Sequence, residues 1–363
     1  MKTPNLNRIS FIPALLFIFA GIINAQVKDL GQMVAGGVND AEILFESYLA
    51  PYVNGFSAAM TGGWYNTAET HKPGGFEIII TLNAALVPEQ STTFDMNNLD
   101  LQSLHLSNPG DNLAPTVAGI DEEGPQLNYN IEGFELKAFD MPQGLDWRYV
   151  PSPMLQAGVG LFKGTDLLGR YLPTIKLSDA EIGMWGIGGR HDIKQWIPGV
   201  KKLPVLQLSL MYGYTRLHTN VGLSVEPNNI GALDNTTSIS WEDQDMYCLA
   251  QTHTANLLIA AKLPVITFYG GVGFLKTKTN LKLSGYYPVA DFTASALAGD
   301  MVVTDESAFL DPVDMEIKNE DGSVTKPRLN IGFRLKMSVI TIHFDYTRAN
   351  YNVFTAGLGV SWR

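Results

Sequence analysis

The C-terminal part of the chain carries the clearest hydrophobic rhythm. Leu329, Ile331, Phe333, Leu335 and Met337 alternate with Asn330, Gly332, Arg334 and Lys336. After a tight turn at Met337-Ser338, Ile340, Ile342, Phe344 and Tyr346 alternate with Thr341, His343, Asp345 and Thr347. Phe354, Ala356, Leu358, Val360 and Trp362 then alternate with Thr355, Gly357, Gly359 and Ser361. Successive side chains of a strand point to opposite faces, so each segment has one apolar face and one small or polar face. All the charges fall on the polar face, as a strand between lipid and a lumen requires.

The same reading extends upstream. It predicts strands near Gly55–Asn66, ending in a membrane-girdle pair Trp64-Tyr65, and near Phe76–Val87, Ile131–Phe139, Met154–Phe162, Thr165–Leu172, Glu181–Arg190, Pro204–His218, Asp245–Ala261 and Val265–Leu283. The total is about 12 strands, or about 14 if residues 88–129 hide a further pair, an even number as barrels prefer. Short turns at Lys163-Gly164, Lys262–Pro264 and Met337-Ser338 fall on one side. Long connections near 140–153, 219–244 and 285–324 fall on the other, the known asymmetry of periplasmic turns and outer loops. The fold class predicted is all-β, an antiparallel transmembrane β-barrel with a short N-terminal periplasmic helix.

Two short helical segments accompany the strands. Asn39-Asp40 is placed to cap a helix reaching Leu49, with Ala41, Leu44, Phe45, Tyr48 and Leu49 on one face and Pro51 as its stop. Lying before the first strand, it is expected at the periplasmic mouth, either as a lid on the rim or as a plug in the lumen. In His191–Pro204, Asp192 caps one or two turns that carry Ile193, Trp196 and Ile197 beside Lys194, Lys201 and Lys202. Trp and Lys together suit the lipid headgroup layer. Trp196, Lys194, Lys201, Lys202, Trp64 and Trp362 are therefore the candidate interface anchors, and a partner-docking segment is the alternative for His191–Pro204.

The N-terminus changes the compartment. Lys2 and Arg8 precede an apolar run, Phe11–Ile23, too short to span a bilayer, and Asn24-Ala25-Gln26 offers a cleavage site. Residues 1–25 read as a signal peptide, 26–52 as a periplasmic segment and 53–363 as the barrel. Loss of Lys2 and Arg8 with no acid takes the formal charge from −11 to −13. Such a chain repels phosphates and is not expected to bind nucleic acid. Charged residues are 17 % of the chain, against about 25 % in soluble domains. No mature segment has the length of about 18 apolar residues that a spanning helix needs. A closed barrel is the remaining way to satisfy a backbone in lipid.

Chemistry is sparse in the sequence. The single Cys248 excludes an internal disulfide framework. None of His71, His105, His191, His218, His253 and His343 pairs with another His or with Cys at metal-ligand spacing. His253 stands in a strand near Thr252, Thr254 and Asn256, without a recognisable nucleophile, base and orienting group. Gly270-Gly271-Val272-Gly273 lacks the Lys-Ser/Thr of a phosphate loop and reads as close-packed lumen or kink positions. The acids Asp305, Glu306, Asp311, Asp314, Glu316, Glu320 and Asp321 lack the spacing of a calcium loop. They read as a solvated outer loop, or as collectors of cations that bridge lipopolysaccharide. No catalytic residue, metal or cofactor is expected, and the ligand stays open.

The strings Gly62-Gly63-Trp64-Tyr65-Asn66-Thr67-Ala68 with His71-Lys72, and His191–Gly199 followed by Lys202-Leu203-Pro204, resemble an uncharacterised family of Bacteroidota outer-membrane proteins. The resemblance covers the chain from about Asp40 onward and implies a barrel without an established activity. More loosely, an N-terminal segment before a barrel is similar in architecture to outer-membrane transporters of fatty acids and aromatic hydrocarbons. Two functions from different classes follow as expectations. One is a passive channel or transporter for small or hydrophobic molecules. The other is a scaffold that binds a protein through its loops or periplasmic segments. The expected location is the outer membrane, with lipid, lipopolysaccharide and the barrel-assembly machinery as partners. An enzyme is not expected.

Overall fold

A computed structural model describes residues 30–131, 134–177, 180–298, 300–319 and 322–362. The proposed signal peptide lies outside them. The alternating segments become ten strands of one meander, which we number β1 (Phe76–Leu86), β2 (Tyr149–Gly160), β3 (Thr165–Leu177), β4 (Ala180–Asp192), β5 (Leu206–Leu223), β6 (Gln244–Lys262), β7 (Ile266–Ser284), β8 (Thr325–Met337), β9 (Ile340–Arg348) and β10 (Asn352–Trp362). Each pairs antiparallel with its chain neighbours. β1 pairs with β10, Phe76 opposite Trp362, and shuts the cylinder. A closed sheet leaves no edge, so every wall strand is bonded on both sides.

The predicted alternation is the wall's inside and outside. Ile78, Ile80, Leu257, Ile259, Phe344, Leu358 and Trp362 point outward and are exposed, while Glu77, Thr81, Arg190, Thr252, Arg334, His343 and Asp345 are buried inside. The expected count of about 12 is corrected to ten in the wall. Ile131–Phe139 is a strand pattern spent elsewhere. Gln126–Ile131 and Phe134–Asp140 form a small sheet with Leu104–Leu106 in the long connection between β1 and β2. The segment Gly55–Asn66 is not a strand at all, because it belongs to a helix and the coil after it.

That helix, α1 (Val38–Thr61), runs 24 residues and continues through Pro51. Pro removes one intrahelical bond and in water would end the helix. Here the helix is surrounded, and packing on all sides outweighs the lost bond. Its first turns lie among the long loops, not at the short-turn mouth as expected. The Asp40 carboxylate accepts hydrogen bonds from the backbone N–H groups of Gln102, Ser103 and Leu104 at 2.7, 2.8 and 2.9 Å. Leu44, Phe45 and Tyr48 share one apolar core with Leu104, Ala114, Val117, Leu127, Tyr129, Tyr287 and Val313 of the loops. The loops and the upper half of α1 thus form a cap with a single core.

The lower half of α1 descends the lumen. Met60 packs with Met154, Leu172, Met184, Leu217 and Ala250 of the wall. Beyond it, Trp64, Tyr65 and Ala68 pack on Leu168, Met211, Leu258, Ala260 and Tyr269. The chain reaches the short-turn mouth at His71 and enters β1 at Phe76. Residues 38–71 therefore fill the barrel from the cap to the opposite mouth. Of the two expectations for the N-terminal helix, the plug is the one observed.

Candidate functional site: the plugged lumen

The plug poses an electrostatic problem at Thr61, where α1 ends inside the barrel. The last carbonyls of a helix have no partners within it and carry the negative end of its dipole. Each is satisfied here. Ala58 O accepts from the Thr61 hydroxyl at 2.7 Å and Ala59 O from Gly62 N–H at 3.0 Å. Arg170 of β3 donates to Met60 O at 3.0 Å and to Gly62 O at 2.6 Å. Arg328 of β8 donates to Thr61 O at 3.0 Å. Two guanidiniums from different parts of the wall thus clamp the helix end, and both are buried. A fork of fixed donors aimed at carbonyls combines geometry with charge.

Wall residues fix the forks in turn. Gln156 Oε1 accepts from Arg170 Nε at 2.8 Å, and Thr254 and Thr347 hydroxyls accept from Arg328 at 3.0 and 3.2 Å. The Arg170 guanidinium also lies 3.7 Å from the centre of the Trp64 ring. Negative charge is nearby at Asp345, which accepts from the Tyr269 hydroxyl at 2.9 Å and from Asn330 at 2.8 Å.

Trp64 and Tyr65 sit in seats cut from the wall. A Cβ on Gly213 would come within 2.4 Å of the Trp64 ring, and one on Gly188 within 2.7 Å. A Cβ on Gly271 would come within 2.6 Å of the Tyr65 hydroxyl. Of the glycine run of β7, Gly271 is a close-packed lumen position, one of the two readings its sequence allows. Gly63 turns the chain between helix and seats, at φ +65°.

A third arginine holds the lower end. Arg190 of β4 donates to Thr67 O at 2.8 Å and to Asp166 Oδ2 at 2.5 Å. Asp166 also accepts from the His71 backbone N–H at 2.8 Å, and its other oxygen lies 3.1 Å from His71 Nδ1. Glu77 stands 3.7 Å from His71 Nε2, and the Ser361 hydroxyl is 3.5 Å from the same nitrogen. Sequence reasoning missed this line of acid, imidazole and hydroxyl, because its members are 290 residues apart at the extremes. It resembles a nucleophile relay, but His71 and Ser361 are fully enclosed and a nucleophile needs a substrate within reach. Its chemistry here is that of a buried ion network tying plug to wall.

A sequence profile described as a family of unknown function, DUF6588, matches residues 1–362. The chain belongs to that family. A comparison with curated proteins returns no match. Solved structures similar to this DUF6588 barrel include the outer-membrane protease OmpT of Escherichia coli, at 8 % identity and TM-score 0.34, covering 82 % of this chain and 100 % of that one. Ail, the attachment invasion locus protein of Yersinia pestis, is similar at 9 % identity and TM-score 0.26, covering 80 % and 99 %. The toluene transporter TbuX of Ralstonia pickettii is similar at 7 % identity and TM-score 0.27, covering 85 % and 94 %. Such likenesses carry nothing about activity.

The DUF6588 barrel separates the candidate anchors into two groups. Trp362 and Trp196 are exposed on the outer wall and the short-turn rim, 62 % and 65 % accessible. The Trp196 indole N–H donates to His191 Nε2 at 3.1 Å, which leaves Nδ1–H to donate to Thr165 at 2.8 Å and fixes the indole. Lys201 and Lys202 are exposed on a second short turn of the same connection, Val200–Lys202, and the Asp192 carboxylate accepts from Lys194 N–H at 2.8 Å without capping either turn. Lys194 is not free for headgroups, since its ammonium donates to Leu203 O at 2.6 Å and closes the turn. Trp64 is no girdle residue either, being 1 % accessible in the lumen. The loop acids are engaged singly: Asp305 with Thr237, Asp311 with Lys282 and Glu316 with Lys278. Glu320 and Asp321 lie outside the described residues. Among the described residues no three acids, histidines or cysteines gather as a metal site.

Proposed function

We propose that this DUF6588 barrel stands in the outer membrane as a closed scaffold, with a folded cap of loops on its outer side and a plug bonded into its lumen. The apolar outer wall and the polar, buried inner wall support the membrane placement. One observation carries the scaffold reading over the channel reading: the carbonyls of Met60, Thr61 and Gly62 at the end of α1 are all held by wall arginines at mid-lumen. A water path there requires breaking buried charge-assisted bonds. The cap is then the working surface, presented to a partner outside the cell. Export through a cleaved signal peptide and insertion by the barrel-assembly machinery complete the reading.

The test is conductance in planar bilayers, together with swelling of liposomes in small sugars. The wild-type barrel is expected to give neither steady openings nor swelling. Stable unitary conductance from the intact chain overturns the scaffold reading in favour of a channel. Sequencing of the N-terminus from an outer-membrane fraction is expected to begin at Gln26. Labelling of the purified barrel by serine-hydrolase probes would overturn the non-enzymatic reading.

A further inference from the structure

The outer wall is not uniformly smooth. Gly189 of β4 and Ala255 of β6 face outward between Leu210, Leu257, Val272 and Phe274, and the missing bulk leaves an apolar groove of about 750 Å3. A Cβ on Gly189 would meet nothing nearer than 3.5 Å, so the space opens outward. Strands β5, β6 and β7 are also longer than the other wall strands and carry the wall on past this groove toward the cap.

Charge appears one step above the groove. Along β5 the outward series runs Leu210, Tyr212, Tyr214, Arg216, and along β7 it runs Val272, Phe274, Lys276. His253 of β6 lies between them, opposite Tyr214 on one side and Lys276 on the other. The Tyr212 hydroxyl is 2.6 Å from His253 Nδ1, and as its donor it leaves Nε2 as a free N–H. Still nearer the cap, Lys278 and Lys282 are each paired with an acid, Glu316 at 3.4 Å and Asp311 at 2.9 Å. Arg216 and Lys276 have no acid paired with them among the described residues. Two uncompensated cations and an imidazole N–H thus head an apolar groove at the upper edge of the lipid-facing wall.

We propose that this groove binds one molecule of a phosphorylated glycolipid of the outer leaflet. An acyl chain lies along Gly189 and Ala255, and a phosphate sits between Arg216 and Lys276. The proposal rests on the membrane placement given above. A second outer groove of about 580 Å3, lined by Phe268, Ile331 and Phe354, supplies the internal control. Arg348 of β9 lies above it.

The experiment uses the full mature barrel in detergent, stripped of lipid, with retention of added diphosphoryl lipid A read by native mass spectrometry. One retained lipid per barrel is expected. Arg216→Ala with Lys276→Ala is expected to lower retention about tenfold. Ala255→Phe, which fills the groove, is expected to lower it similarly, and Arg348→Ala to leave it unchanged. Dephosphorylated lipid A and phosphatidylethanolamine are expected to be retained weakly. Each variant is first shown to be folded by its heat-modifiable mobility. Wild-type retention by the double variant, or equal retention of the dephosphorylated lipid, overturns the glycolipid site while the membrane placement stands. A chain that stays folded and soluble without detergent overturns the placement itself.

Discussion

The two halves of the plug are held by different forces. From Val38 to Tyr52 the helix is buried by the apolar side chains of the cap, and Phe45 and Leu44 are as enclosed as any residue of a soluble core. From Asn54 to His71 the chain runs through a barrel whose inner wall mixes polar and apolar side chains, and there its backbone carbonyls are gripped by Arg170, Arg328 and Arg190. The upper half is non-directional and tolerant of shape. The lower half is directional and specific to the position of each carbonyl. Apolar contacts continue into the lumen at Met60, Trp64 and Tyr65, and the hydrogen bonds to buried arginines add the directional part of the hold.

The comparison breaks most sharply at the clamp. Arg170→Ala with Arg328→Ala leaves three buried carbonyls without donors, at about 1.5–3 kcal/mol for each charged hydrogen bond removed. Global stability is expected to fall by about 5 kcal/mol, read by urea unfolding in detergent, and bilayers are expected to show fluctuating openings. An unchanged unfolding midpoint would show that the cap alone holds the plug. Phe45→Ala tests the upper half. It removes an enclosed ring at a cost of about 3–4 kcal/mol, with no openings expected, because the clamp below is intact.

Gly213→Ala sharpens the picture of the seats. Its methyl meets the Trp64 ring, and a loss of about 1–3 kcal/mol is expected from overpacking, with a red shift of tryptophan emission. The smallest effect concerns pH. The Thr237 hydroxyl and N–H hold the Asp305 carboxyl below its ordinary value of 3.8. A lowered folded pKa stabilises above the unfolded value and is lost as pH falls through that region. Amides near Thr237 are expected to exchange faster at pH 3 than at pH 6, after correction for intrinsic rates.

Period-two alternation made the wall legible. Arg334, His343 and Asp345 were assignable to the lumen for the same reason, since one side of such a strand must face away from lipid. The plug was legible only as far as Leu49. Pro51 is a stop signal for a helix in water, and its surroundings here are protein on every side. Trp64-Tyr65 carries the chemistry of a girdle, and only tertiary structure shows that Gly188, Gly213 and Gly271 make room for it inside. A clue lay in the density of small residues from Gly55 to Gly63, which suits a helix threaded through a narrow bore. Ile131–Phe139 has an alternation that fits a wall strand and a cap strand equally well. The clamp arginines lie on strands far from α1 in sequence, so no local pattern pairs them with it.

The seam between β1 and β10 sets an order on assembly. The threaded segment precedes β1, and its start is locked under the loops at the opposite mouth from where it joins the wall. Once Phe76 and Trp362 are side by side, a bulky object on the N-terminal side has no way through the filled bore. Residues 38–71 must therefore already lie in the open sheet as the last strand docks. Joining a stably folded domain directly ahead of Leu30 should arrest the cylinder before it shuts, while the same domain joined in the loop at Gly110 should not.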